Sequence, residues 1–245
     1  LPEFVIFSYL ILFILLLKNK NYFSLKFNLF YYKISLIIFI IIFPNLVLFV
    51  IPYSIYDGLR QFLYIIPYIC IIPGLIIYYL FNSLKEKINK FIFGIIAFMF
   101  VYFAFNFISL TPYQYTYLNI LNGKFNETYT KYENDYWGIS LKELIHKIPN
   151  KKEFSESKNI KIASCGVSEG SLKFYLSKLK NISFDLVYPD VDYDYIIMTN
   201  RVIWSHEGIQ DLKKAEICYE KYKGEDVIAV NRKGLLLSTI RKKVK

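Results

Sequence analysis

FIFGIIAFMFVYFAFNFISL, residues 91–110, reads as a helix that needs lipid around it. No charged residue interrupts it. A run of about 20 mostly apolar residues is long enough to cross the hydrocarbon core of a bilayer. A helix of a water-soluble protein would instead show one apolar stripe and one polar face.

Three further apolar runs precede it, at residues 4–17, 34–50 and 62–81. The run at 62–81 is long enough to span. The run at 34–50 becomes so when Tyr31, Tyr32 and Pro52 occupy the interfaces. Pro44, Pro67 and Pro73 fall inside these runs, where kinks are tolerated by packing against neighbouring helices. The expectation for residues 1–110 is an α-helical membrane bundle of about four transmembrane helices. The chain opens on Leu1 almost inside an apolar run, and is expected to be the C-terminal part of a longer protein. Residues 1–17 lack the basic leader and small-residue cleavage site of a signal peptide.

The net charge of +10 over 245 residues does not point to nucleic acid. Part of it lies in short loops between apolar runs. The rest is dispersed among acidic residues in the second half, with no basic stripe. Lys18, Lys20, Lys26 and Lys33 lie between the first two runs, and Lys85, Lys87 and Lys90 between the last two. Between the second and third lie only Asp57 and Arg60. Lysine-rich loops remain cytoplasmic. Both basic loops therefore share one side, and residues 53–61 together with everything after Leu110 take the other.

Residues 111–245 read as a small extracytoplasmic α/β domain. Ser140, with Glu143 three residues on, has the form of a capping box before a helix over 141–148. Residues 159–165 and 193–199 have strand character. Residues 168–179 carry Leu172, Tyr175, Leu176 and Leu179 on one helical face. The tail, at 217–222, 227–231 and 235–240 and broken by Gly224 and Gly234, predicts three strands of a meander. The polar stretch 149–158 predicts a flexible connection. Cys165 and Cys218 can pair in an oxidising compartment, while Cys70 lies in an apolar run.

Four groups of residues can carry chemistry. Tyr56-Asp57-Gly58-Leu59-Arg60 sits at the outer mouth of the third run, where an arginine can grip a phosphate by two parallel hydrogen bonds. The plainer alternative is a helix cap by Asp57 beside an arginine that snorkels to water. Thr111-Pro112-Tyr113-Gln114-Tyr115-Thr116-Tyr117-Leu118-Asn119 follows the last run; its tyrosines suit an interfacial belt, or a sugar-binding lining with Asn119. Asp135-Tyr136-Trp137-Gly138 sets aromatic rings beside a carboxylate, which fits a sugar contact or a packing anchor. Asp190, Asp192 and Asp194 alternate, yet Tyr195 stands where a calcium loop needs glycine and Arg201 where it needs glutamate. His146 and His206 have no metal-ligand spacing around them, and no phosphate-cradling glycine motif is present. No cofactor is expected, and a divalent metal requirement stays open.

Three of these pieces, in this order, resemble the C-terminal half of bacterial membrane glycosyltransferases of the GT-C superfamily, the dolichyl-phosphate-mannose protein mannosyltransferase-like enzymes. The likeness is carried by Tyr56-Asp57-Gly58-Leu59-Arg60 with Phe62, Leu63 and Pro67, by Pro112-Tyr113-Gln114-Tyr115 through Tyr117 and Asn119, and by Asp135-Tyr136-Trp137-Gly138 with Ser140. The tail around Gly234 is similar in a looser way. The resemblance implies a multi-pass protein of the bacterial inner membrane that takes a sugar from a polyprenyl-phosphate donor and transfers it outside the cytoplasm. It implies substrate-binding roles for Tyr56, Asp57, Arg60, Tyr113, Tyr117, Asn119, Asp135 and Trp137. The family's catalytic acid lies in a first outward loop that has no counterpart in this sequence, so this chain alone is not expected to catalyse. The alternative is a non-catalytic membrane anchor bearing an external α/β binding module.

Overall fold

A computed structural model describes residues 2–18, 21–51, 63–83, 86–132, 134–135, 137–155, 159–180, 182–201 and 217–243. The chain divides into two compact units, Leu1–Phe105 and Asn106–Lys245.

The first unit is helical: α1 (Glu3–Lys18), α2 (Tyr22–Lys26), α3 (Phe30–Val50), α4 (Ile66–Ser83) and most of α5 (Glu86–Ile108). Three stretches are long and apolar enough to cross a membrane, Phe30–Val50, Leu63–Ser83 and Glu86–Ile108. Of the about four crossings expected, three are met by helices of this length and composition among the described residues. The helix α1 has 16 residues, which at 1.5 Å per residue is about 24 Å, short of a hydrocarbon core of about 30 Å. Pro44 lies inside α3 and Pro73 inside α4. A small aromatic core joins Leu12, Phe23, Phe30, Ile34, Ile72, Ile76 and Tyr79. Outside it, large apolar side chains are exposed all round, among them Phe49 on α3 and Phe91 and Phe98 on α5. Water penalises such a surface and lipid does not, so the composition makes physical sense in a membrane.

The second unit is built on a five-stranded mixed sheet in the order β2-β1-β3-β5-β4. Its strands are β1 (Ile160–Cys165), β2 (Phe184–Leu186), β3 (Tyr195–Thr199), β4 (Gly224–Arg232) and β5 (Leu235–Lys243). The β1 strand is central to a parallel trio with β2 and β3, and β5 runs antiparallel to both β3 and β4. Helices α6 (Leu141–His146), α7 (Lys152–Ser155), α8 (Glu169–Leu176) and α9 (Cys218–Lys221) complete it.

Strand side chains alternate between faces, and both faces of β1 and β3 are covered. Ile160, Ile162, Tyr195 and Ile197 join Leu141, Leu144, Phe154 and Leu172 in the main core. Ala163, Cys165, Ile196 and Met198 turn the other way, onto Cys218 and Tyr219. This explains the near-continuous apolar run of β3, typical of strands buried on both faces. The β4–β5 hairpin closes through Lys233 and Gly234, both at positive φ (49° and 79°), as a two-residue turn of matching twist requires.

Three expectations need correction. The stretch Ile217–Tyr222 forms no meander strand: Cys218–Lys221 is a helical turn, because a disulfide from Cys218 to Cys165 and burial of Tyr219 pin it across the sheet. The polar stretch 149–158 is ordered through Ser155, since α7 inserts a fully buried Phe154 into the main core. Ser140 stands at the start of α6 but makes no capping bond, its hydroxyl being held elsewhere.

Candidate functional site at the membrane-exit segment

The last turn of α5 leads into a chain that doubles back on itself. The Thr111–Pro112 peptide is cis. Short 3-10 turns follow at Gln114–Thr116, Ile120–Asn122 and Phe125–Thr130. The ring of Tyr117 meets that of Phe107 edge-on at 6.3 Å, so the segment returns to the helix it has just left. Asn119 accepts from Leu121 N at 3.1 Å and from Asn122 Nδ2 at 2.9 Å, and so caps the turn after it.

Two networks fasten this segment to the α/β fold. The first is centred on Glu143 of α6. The guanidinium of Arg232, at the end of β4, donates to Oε2 at 2.6 Å, and Lys147 Nζ lies 3.0 Å from Oε1. The Tyr113 hydroxyl donates to Oε2 at 2.8 Å, and its ring lies 4.8 Å from the same guanidinium. Arg232 Nε also donates to the carbonyl of Thr111 at 3.3 Å. Burial pushes the Glu143 carboxyl up, but hydrogen bonds from Arg232, Lys147 and Tyr113 outweigh it and hold the group at about 2. The Tyr113 hydroxyl is pushed far above its ordinary value, first by burial and then by its bond to Glu143.

The second network is centred on Asp135, which is 1% exposed. Its oxygens accept from Ile139 N at 2.9 Å, Ser140 N at 3.1 Å, the Tyr115 hydroxyl and the Ser140 hydroxyl. Ser140 Oγ is also 2.6 Å from Ser238 Oγ on β5. Next to it, Asn200 at the end of β3 accepts from Asn134 N at 3.0 Å and donates to Tyr132 O at 2.7 Å. A carboxylate with this many donors is a strut for its loop: its lone pairs are occupied by the protein, and none faces water.

A third feature lies at the carboxyl ends of β1 and β3, a place where α/β proteins commonly bind ligands. The disulfide Cys165–Cys218 (Cα–Cα 5.8 Å) lies there, and Gly166 at φ +72° packs so that an added Cβ would lie 2.6 Å from that of Arg201. A small cleft of about 140 Å³ remains between β1, β2 and α8, lined by Ser164, Glu169, Lys173 and Tyr188 among others.

The sequence-derived candidates thus fall into three sets. Tyr56, Asp57 and Arg60 lie outside the described residues. Tyr113 and Asp135 are brought together through Tyr115, whose ring is 6.3 Å from that of Tyr113 and whose hydroxyl bonds Asp135. Tyr117 and Asn119 organise the returning loop, and Trp137 is 58% exposed. Asp192 pairs with Lys243 at 2.7 Å and Asp194 accepts from Lys161 N at 2.9 Å. Among the described residues no three His, Cys, Asp or Glu converge as a metal site. Sequence reasoning passed over Arg232, Ser238 and Asn200. Each acts on a partner far along the chain, as Arg232 does on Glu143, and no local pattern marks such pairs. Comparison with protein-family models, curated proteins and solved structures finds no match to this chain.

Proposed function

We propose that this chain is the C-terminal part of a membrane glycosyltransferase that draws a sugar from a polyprenyl-phosphate donor, with its α/β unit outside the cytoplasm of a bacterial inner membrane. One observation carries the reading: two of the three motif segments behind the GT-C resemblance, twenty residues apart, meet in one buried network through Tyr115 and Asp135. Motifs that converge in space are more informative than motifs that merely follow one another. The placement draws support from the lysines of both basic loops, which three crossings would put on one side, and from the disulfide of the α/β unit, a bond that persists in oxidising compartments.

In this reading Tyr56, Asp57 and Arg60 serve the carrier phosphate, an arginine being able to hold one by two parallel hydrogen bonds. Tyr113 and Asp135 fix the segment after α5, and Tyr117, Asn119 and Trp137 are its sugar-binding residues. The bilayer and the lipid-linked donor are the partners. The test is binding of a polyprenyl monophosphate to the full chain in detergent micelles. Arg60→Ala should weaken it about tenfold, the scale of one charge-assisted pair. Unchanged affinity removes Arg60 from the site.

The occupied carboxylate of Asp135 favours a second reading, a non-catalytic membrane anchor whose external domain binds a glycan or a partner. The coding sequence upstream of Leu1 separates the two. Further spans with an outward Asp or Glu favour the enzyme, and a start codon at that point favours the module.

A further inference from the structure

The first unit holds an open groove of about 740 Å³ that sugar transfer does not use. Its walls are the C-terminal ends of α1 and α4 and the start of α2, contributing Lys18, Asn21, Tyr22, Tyr79, Asn82 and Ser83. The aromatic wall is braced. Tyr22 meets Tyr79 edge-on at 4.8 Å and Phe23 at 5.2 Å, and Phe23, fully buried, stacks on Phe30 at 5.0 Å. The Tyr22 hydroxyl is buried behind this wall and has no hydrogen-bond partner. Asn21 makes no side-chain cap to α2. Asn82 donates one N–H to Tyr78 O at 2.8 Å and retains a second.

The lining holds one cation, Lys18, several neutral donors and no acid. The acid at the start of α5, Glu86, is already paired with Lys90 at 2.8 Å. Lys26, Lys33 and Lys87 add positive charge to the same basic loops. Basic pockets between helices at a membrane surface suit lipid headgroups.

We propose that this groove binds the phosphate of an anionic phospholipid headgroup. Lys18 pairs with the phosphate, the Asn21 and Asn82 amides and the Ser83 hydroxyl donate to its free oxygens, and Leu17 and Tyr79 lie along the glycerol. The inference rests on the membrane reading of the helices and not on sugar transfer, so either can fail without the other. Its chemistry fits a free phosphate ion as well, and the experiment separates the two sources.

The full chain, purified in detergent, is offered equal amounts of phosphatidylglycerol and of diacylglycerol, which lacks the phosphate, and the lipid retained is counted by native mass spectrometry. The wild type should favour phosphatidylglycerol about tenfold, the weight of one charge-assisted contact. Lys18→Gln should lose that preference, while Lys18→Arg and the off-groove Lys87→Gln keep it, all with unchanged melting curves. Retention that resists millimolar inorganic phosphate assigns the lipid; displacement by it assigns a phosphate site open to the free ion. Equal retention of both lipids by the wild type, or an undiminished preference in Lys18→Gln, overturns the proposal.

Discussion

Acidification should loosen the clamp between the membrane-exit segment and the α/β fold, and Glu143 sets the window. Its carboxyl is held at about 2 in the fold against an ordinary 4.5. At about 1.4 kcal/mol per pKa unit, that depression corresponds to roughly 3 kcal/mol. The side chain is 28% exposed, and solvent screening reduces the figure to about 2 kcal/mol. The sign follows from the direction of the shift. A depressed carboxyl stabilises the fold fully above its unfolded pKa, and that contribution is lost as pH falls from about 4.5 towards about 2. Glu143→Gln removes the charge but keeps the shape. For a unit of this size, about 2 kcal/mol is roughly 5–10 °C in Tm at neutral pH. The assay is thermal unfolding of the full chain in detergent, followed by near-ultraviolet circular dichroism from about pH 7 to about pH 2.5. The wild-type and Glu143→Gln curves should lie apart at neutral pH, and the gap should narrow from about pH 4.5 downward to roughly a quarter of its neutral width at about pH 2.5. A gap of constant width across the whole range would refute the assignment.

Other consequences are equally concrete. Asp135→Ala strands the Tyr115 and Ser140 hydroxyls and two backbone N–H groups inside the protein, and should cost about 3–5 kcal/mol in denaturant melts. Trp137→Ala, at an exposed ring beside it, should stay within about 0.5 kcal/mol. Equal effects at the two positions would contradict the strut role of Asp135. The Cys165–Cys218 bridge closes a loop of sequence separation 53, so replacing both cysteines by serine should cost up to about 4 kcal/mol. Alkylation of both thiols in the native, unreduced protein would show that the bridge does not form. Gly166→Ala should destabilise by about 2 kcal/mol or more, because neither its φ nor the space against Arg201 admits a methyl group.

How much of this was readable beforehand follows from the range of each interaction. Apolar runs such as 91–110 declare themselves by composition alone, and β1, α8 and β3 show through period and length. A six-residue run such as Ile217–Tyr222 carries too little periodicity to separate a strand from a helical turn, and the disulfide decides it. Phe154 is a lone aromatic in a polar stretch, so its burial depends on a core assembled from distant segments. At the site, Tyr113 and Asp135 stood out as residue types in suggestive places. The links from Glu143 to Arg232 and from Ser140 to Ser238, which complete their networks, depend on strands that arrive about a hundred residues later.

Everything rests on the two basic loops lying across the bilayer from the α/β unit. The direct measurement is labelling of spheroplasts with a membrane-impermeant thiol reagent, on a Cys70→Ala background carrying either Lys124→Cys or Lys87→Cys. The account predicts that Lys124→Cys reacts in sealed spheroplasts and Lys87→Cys only after permeabilisation. Reaction at Lys87→Cys with protection at Lys124→Cys would contradict it.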